Sequence, residues 1–197
     1  MFTTNNFKAK LMRSLSFVII SLSFSITLSA QEKLTFGAGY FGETLFHPGI
    51  ILQAEHPGSI SNNFSIPIRA DLGYYIHKRN HQALFSEVIT GFRWHIGSRF
   101  YTGVHGGLGL MSSWHHSDDG VYEVDDNGNV SQVPSYAGID FMPSIGLEFA
   151  YQIKQGDNMS NYIFLRPKGF WQMNVNEKAL FHYALEMGYS FSINTKD

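Results

Sequence analysis

The chain contains no cysteine. Disulfides, thiolate metal centres and a lipid-modified N-terminal cysteine are thereby excluded. Charge is also scarce, because Asp, Glu, Lys and Arg make up 15% of the 197 residues. Soluble surfaces carry roughly 25–35%. Beyond residue 30 no apolar run approaches the roughly 20 residues that a membrane-spanning helix needs. A bilayer leaves backbone N–H and C=O groups no water to bond, so a chain without such helices crosses it only as a closed barrel.

What is present begins with an export pattern. Lys8, Lys10 and Arg13 form a basic start, Leu15 to Leu28 is apolar apart from serines and a threonine, and Ser29–Ala30 offer a small-residue cut before Gln31. This layout predicts a secretory signal over residues 1–30, cleaved to leave 197 − 30 = 167 residues as one domain. The signal carries three of the fourteen basic residues and none of the sixteen acidic ones, so the remainder has net charge 11 − 16 = −5. A mildly acidic chain gives no electrostatic case for a nucleic-acid partner.

The rest of the chain sorts its side chains by parity. From Phe181 to Ile193 the odd positions read Phe, Tyr, Leu, Met, Tyr, Phe, Ile, and the even ones between them His, Ala, Glu, Gly, Ser, Ser. Successive side chains of a strand point to opposite faces, so such a segment has one oily and one small or polar face. Eight segments follow the rule: 34–42, 49–55, 64–76, 84–96, 100–110, 137–151, 163–175 and 180–193. The second is the least regular. Prolines withhold a ladder donor, so bulges that reverse local facing are expected near Pro67, Pro143 or Pro167. The longest connection, about 114–135, falls between strands five and six, and the tight link Gly97–Ser98 falls on the opposite end. Within the long one, Asp126-Asn127-Gly128 separates two alternating runs, a strong signal for a hairpin-like protrusion.

The polar face decides which side meets lipid. It is rich in glycine, and its charges nearly balance: Arg69, Arg93, Arg166 and Lys168 against Asp71, Glu87, Asp140, Glu148 and Glu186. Buried charges must be paired, so near-equal opposite signs predict an internal network, with His105 and His182 completing its hydrogen bonds. The apolar face holds no Asp, Glu, Lys or Arg in any of the eight segments. Its aromatic residues, among them Tyr40, Tyr74, Trp94, Tyr151 and Trp171, suit interfacial girdles. The expected fold is all-β: an eight-stranded, antiparallel, up-and-down transmembrane β-barrel with a polar interior.

Signal, eight strands, long outer loop and an aromatic-rich closing strand together resemble small outer-membrane β-barrel proteins of the OmpA-domain and OmpX type. The resemblance covers Gln31 to Asp197 and implies residence in a bacterial outer membrane, with membrane lipid as its surroundings. The closing stretch Leu185-Glu186-Met187-Gly188-Tyr189-Ser190-Phe191 resembles the signal read by barrel-insertion machinery, although six residues follow Phe191. Members of this fold include binding, structural and lipid-modifying proteins.

The most chemical stretch is Trp114-His115-His116-Ser117-Asp118-Asp119. His115 and Ser117 are similar to the catalytic pair of outer-membrane lipid A deacylases, in which a histidine base activates a serine. Two features depart from that pattern: Asp118 replaces the family's asparagine, and odd positions of strand five point inward. For metals, adjacent His115 and His116 point opposite ways along a strand, and Asp125, Asn127 and Asn129 lack the later glycine and glutamate of a calcium loop. No metal or other cofactor is expected. The sequence therefore points first to a non-enzymatic barrel with a structural or surface-binding role, its loop meeting an envelope protein or glycan. A lipid A esterase and an exported soluble, lipocalin-like barrel are the alternatives.

Overall fold

A computed structural model describes residues 34–78, 81–115, 122–124, 128–132, 136–155, 159–175 and 178–193. The expected leader, Ser117 and the turn residues Asp126 and Asn127 lie outside them. Among the described residues twelve strands are formed in chain order. They are β1 (Leu34–Glu43), β2 (His47–His56), β3 (Ser59–Ser61), β4 (Phe64–Ser65), β5 (Ile68–Ile76), β6 (His81–Ile96), β7 (Phe100–His115), β8 (Tyr122–Val124), β9 (Val130–Gln132), β10 (Tyr136–Gln155), β11 (Met159–Val175) and β12 (Lys178–Ile193). Each long strand pairs antiparallel with its sequence neighbour, and β12 returns to pair with β1 from Leu34↔Ile193 to Glu43↔Ala184. The sheet is therefore a closed barrel of eight staves, with β4 and β5 forming one stave broken at Ile66–Pro67. Closure removes the exposed edge that an open sheet would present.

Parity decides what each stave shows to either side. Leu52, Leu72, Val88 and Leu108 are all exposed, and their sequence neighbours are buried. The outward strand positions with described side chains include no Asp, Glu, Lys or Arg. The second stave, the least regular in sequence, alternates without a fault over Ile50–Glu55.

The proline expectation needs correction. Pro143 pairs with Leu108 and Pro167 with Leu185 in unbroken register, and the facing is kept across Pro67. At Pro67 the ladder is interrupted, and Thr90 Oγ1 donates to the Pro67 carbonyl at 3.0 Å. Register shifts occur instead between Tyr136 and Gly138, Gln152 and Lys154, and Gln172 and Val175, near strand ends. There a shifted ladder disturbs few neighbours.

Inside, the side chains form layers. Toward the end that carries the β7–β10 connection, Phe41, Ile51, Tyr75, Ala83, Phe85, Met111, Met142, Phe170 and Ala184 make an apolar cluster. The Phe41 and Phe85 rings lie 4.8 Å apart. Gly73 makes room for them, because a Cβ there would sit 2.1 Å from Phe85 Cζ. Toward the other end Tyr101, Ala150 and Phe164 form a second cluster. The charged residues occupy the middle. The connections 44–46, 77–80 and 176–177 share the end of the long one and are short. Within the long connection β8 and β9 form their own two-stranded sheet, Val124 opposite Val130, with Gly128 at φ +84° in the turn. No helix among the described residues is long and apolar enough to cross a membrane.

Candidate functional site

The inward faces of β2, β5, β6, β10, β11 and β12 bring nine charged residues into one connected network, centred on Glu148 and linked to its other half through Arg166 Nη1, 3.9 Å from Glu186 Oε2. Arg166 Nε donates to Glu148 Oε1 at 2.6 Å. Arg93 donates to Glu148 Oε2 through Nε and Nη2 at 3.0 and 2.8 Å. Arg69 Nη1 approaches from a third side at 3.4 Å. One carboxylate thus receives three guanidinium groups, each of which needs further acceptors. Arg69 finds Asp71 at 3.0 Å, and Arg93 makes a two-pronged pair with Glu55 at 2.7 and 2.8 Å. Arg166 donates to Gln53 Oε1 at 2.5 Å.

Lys168 holds the other half together. Its Nζ contacts Glu87 and lies 3.0 Å from Glu186 Oε1. Ser144 Oγ also donates to Glu87 at 2.8 Å. Glycine makes the approach possible, since a Cβ on Gly107 would fall 2.6 Å from Ser144 Oγ and 2.8 Å from Glu87 Oε2. Oxygens of Asp71, Glu87 and Glu186 converge within 4.8 Å of one another, the geometry of a cation site. The cation there is Lys168. Arg93 lies 4.3 Å over the Tyr101 ring and Arg166 3.9 Å over Phe164, so the lower apolar layer closes on the guanidinium faces.

Of the residues proposed from sequence, Arg69, Asp71, Glu87, Arg93, Glu148, Arg166, Lys168 and Glu186 are joined by these contacts. Three others are not. Asp140 accepts from Gln172 Nε2 at 2.5 Å, apart from the arginines. His182 donates from Nδ1 to Glu43 at 3.0 Å, nearer the barrel rim. His105 is buried with neither ring nitrogen bonded to protein. Parity placed all three inward correctly, but it carries no information on height along the axis. Glu55, Gln53 and Glu43 were missed, although each stands at an inward position of β1 or β2.

The rim at the long-connection end forms a second polar group. Thr44 and Leu45 both adopt positive φ, 45° and 68°, in the turn between β1 and β2. This conformation costs on the order of 1 kcal/mol for a non-glycine residue. It sets Thr44 Oγ1 2.7 Å from His47 Nδ1, which also contacts Glu43. His115 ends β7 opposite His81, and Ser117 lies outside the described residues, so nothing described joins His115 to a serine.

The chain is similar to Neisserial surface protein A (NspA), with TM-score 0.52 and 10% identity, covering 82% of this chain and 96% of that one. The fold is that of a small outer-membrane β-barrel. The N-terminal β-barrel domain of Pseudomonas aeruginosa OprF aligns with TM-score 0.49 and 11% identity, over 83% of this chain and 98% of that one. The outer membrane enzyme PagL aligns with TM-score 0.42 and 10% identity, over 80% and 97%. No protein-family profile and no curated protein sequence matches the chain. The likeness is one of architecture.

Proposed function

We propose that this barrel is a non-enzymatic outer-membrane protein that binds at the cell surface through its one long connection, residues 116–135. The observation that carries it is the pairing of a charge-free, apolar outer wall with a filled interior of paired ions and aromatic layers. Such a wall is favoured against lipid and penalised against water, and the filled lumen leaves recognition to what projects beyond the staves. With three of the four connections at that end short, the β8–β9 hairpin is the projecting element. Its partner is an envelope protein or glycan. The chain is exported by its leader over residues 1–30 and folded into the membrane by the barrel-insertion machinery, which reads the closing strand β12.

The test is removal of residues 116–135 and direct joining of β7 to β10. The shortened chain is expected to insert and to keep the heat-modifiable mobility of a folded barrel, while losing capture of the surface partner. A phenotype unchanged by the deletion would remove the recognition role. Detergent-free solubility of the chain without its leader would remove the membrane role itself.

A further inference from the structure

Histidine gathers at one place outside the ion network. At the rim the backbone register runs Glu43↔His47 between β1 and β2 and His81↔His115 between β6 and β7. His77 and His81 join the same row, since His77 N donates to the His81 carbonyl at 2.8 Å. The row is completed by side chains: the His47 and His77 rings lie 3.6 Å apart, and those of His77 and His81 5.6 Å apart. Glu43, His47, His77 and His81 continue the inward parity of their strands. Directly opposed side chains on neighbouring strands have Cβ atoms about 4.5–5.5 Å apart. That is a span two imidazoles can bridge through one ion, in contrast to adjacent histidines on a single strand.

We propose that His47, His77 and His81 form a rim site for a divalent transition-metal ion of the zinc, copper or nickel class, with Glu43 as the positioning carboxylate. Imidazole ligands suit these ions, and a ligating histidine characteristically gives its other ring N–H to a carboxylate. His47 has that arrangement already: its Nδ1 contacts Glu43, which leaves Nε2 as the lone-pair nitrogen. Glu43 is itself held from the other side by His182 at 3.0 Å. A second, independent sign is His77 Nδ1, buried and without a hydrogen-bond partner. An unmet imidazole nitrogen beside a stacked imidazole is a costly arrangement that a bound cation would relieve. Tyr75 OH lies 3.2 Å from His81 Nε2 and fixes the third ring from below. Asp71, Glu87 and Glu186 are the group that converges within 4.8 Å as the side chains stand, so the rim rings, tilted by 34° at His47–His77 and stacked at His77–His81, must turn to present nitrogens to one ion.

The experiment uses the folded full-length barrel in detergent, titrated with Cu²⁺ alone and then Zn²⁺ alone by calorimetry, with the Cu²⁺ spectrum recorded by electron paramagnetic resonance. The expected result is a single tight site whose spectrum carries coupling from imidazole nitrogens. Glu43→Gln should weaken it by about 10–100-fold, as loss of an outer-shell partner does. His47→Ala and His77→Ala should abolish the nitrogen coupling, with each variant first shown to be folded by its heat-modifiable mobility. Three outcomes overturn the site: absence of the tight event, a tight event unchanged in His47→Ala and His77→Ala, or one lost on deleting residues 116–135 alone. The last would move the ion to the loop.

Discussion

At the residue scale the molecule turns on Glu148. Three guanidinium groups converge on its carboxylate, and two of them approach within 3.0 Å. Replacing it by alanine leaves Arg69, Arg93 and Arg166 buried with an acceptor removed from each. Breaking one side of a buried pair costs about 3–5 kcal/mol, far more than an exposed pair is worth. Glu148→Ala is therefore expected to lower the urea midpoint of the folded barrel strongly. Glu148→Gln, which keeps one acceptor oxygen, should lower it less. Equal stability of wild type and Glu148→Ala would show that the network is a solvated lumen and not a packed core. This residue was legible in the sequence through parity and charge balance. The other acceptors of its arginines were less so: Glu55 meets Arg93 across 38 residues and Gln53 meets Arg166 across 113. Parity assigns a face. Which inward groups touch depends on register and stave tilt, and neither is written in a strand's own alternation.

At the element scale the same limit appears in reverse. All eight staves and their facing were readable, because a period of two runs through the middle of each. The expected bulges at prolines were not found, since β10 and β11 absorb Pro143 and Pro167 without a register change. Pro67 interrupts its stave without turning it over, and the reason lies on the neighbouring strand. Thr90 supplies from its side chain the donor given to the Pro67 carbonyl. Thr90 points outward, where lipid offers no substitute donor. Thr90→Val should then cost about 1 kcal/mol, the net worth of one hydrogen bond. Hydrogen exchange should show the loss locally, with faster exchange around Ser65 and Ile68 and none in β11. Uniform loosening of the barrel, or no change, would assign the break at Pro67 another support. The inward aromatics Phe41, Phe85 and Phe170 were the other part the sequence left hidden. They sit on the face read as polar, and an apolar residue there looks like a fault in the pattern until three staves bring their rings together.

For the whole molecule, the decisive quantity is the cost of a charge as a function of height on the outer wall. Leu108 lies midway along β7 and is 63% exposed, and Phe100 and Trp114 occupy outward positions near its two ends. In a bilayer, arginine at the midplane costs roughly 2–4 kcal/mol, falling to about 0–1 kcal/mol near the interfaces. A barrel in water would show no such gradient, since an exposed Leu→Arg change on a soluble surface shifts stability by about 0.5 kcal/mol or less. Folding the Leu108→Arg, Phe100→Arg and Trp114→Arg variants into lipid vesicles, and reading each urea midpoint, measures the profile directly. The expected order places Leu108→Arg well below the other two. The comparison also separates lipid facing from simple packing, because Phe100 and Trp114 are larger than Leu108 and would lose more if contact area alone set the cost. A flat profile, or one with its maximum at either end, would detach this apolar wall from a membrane and leave the ion network to be explained as the core of a soluble cylinder.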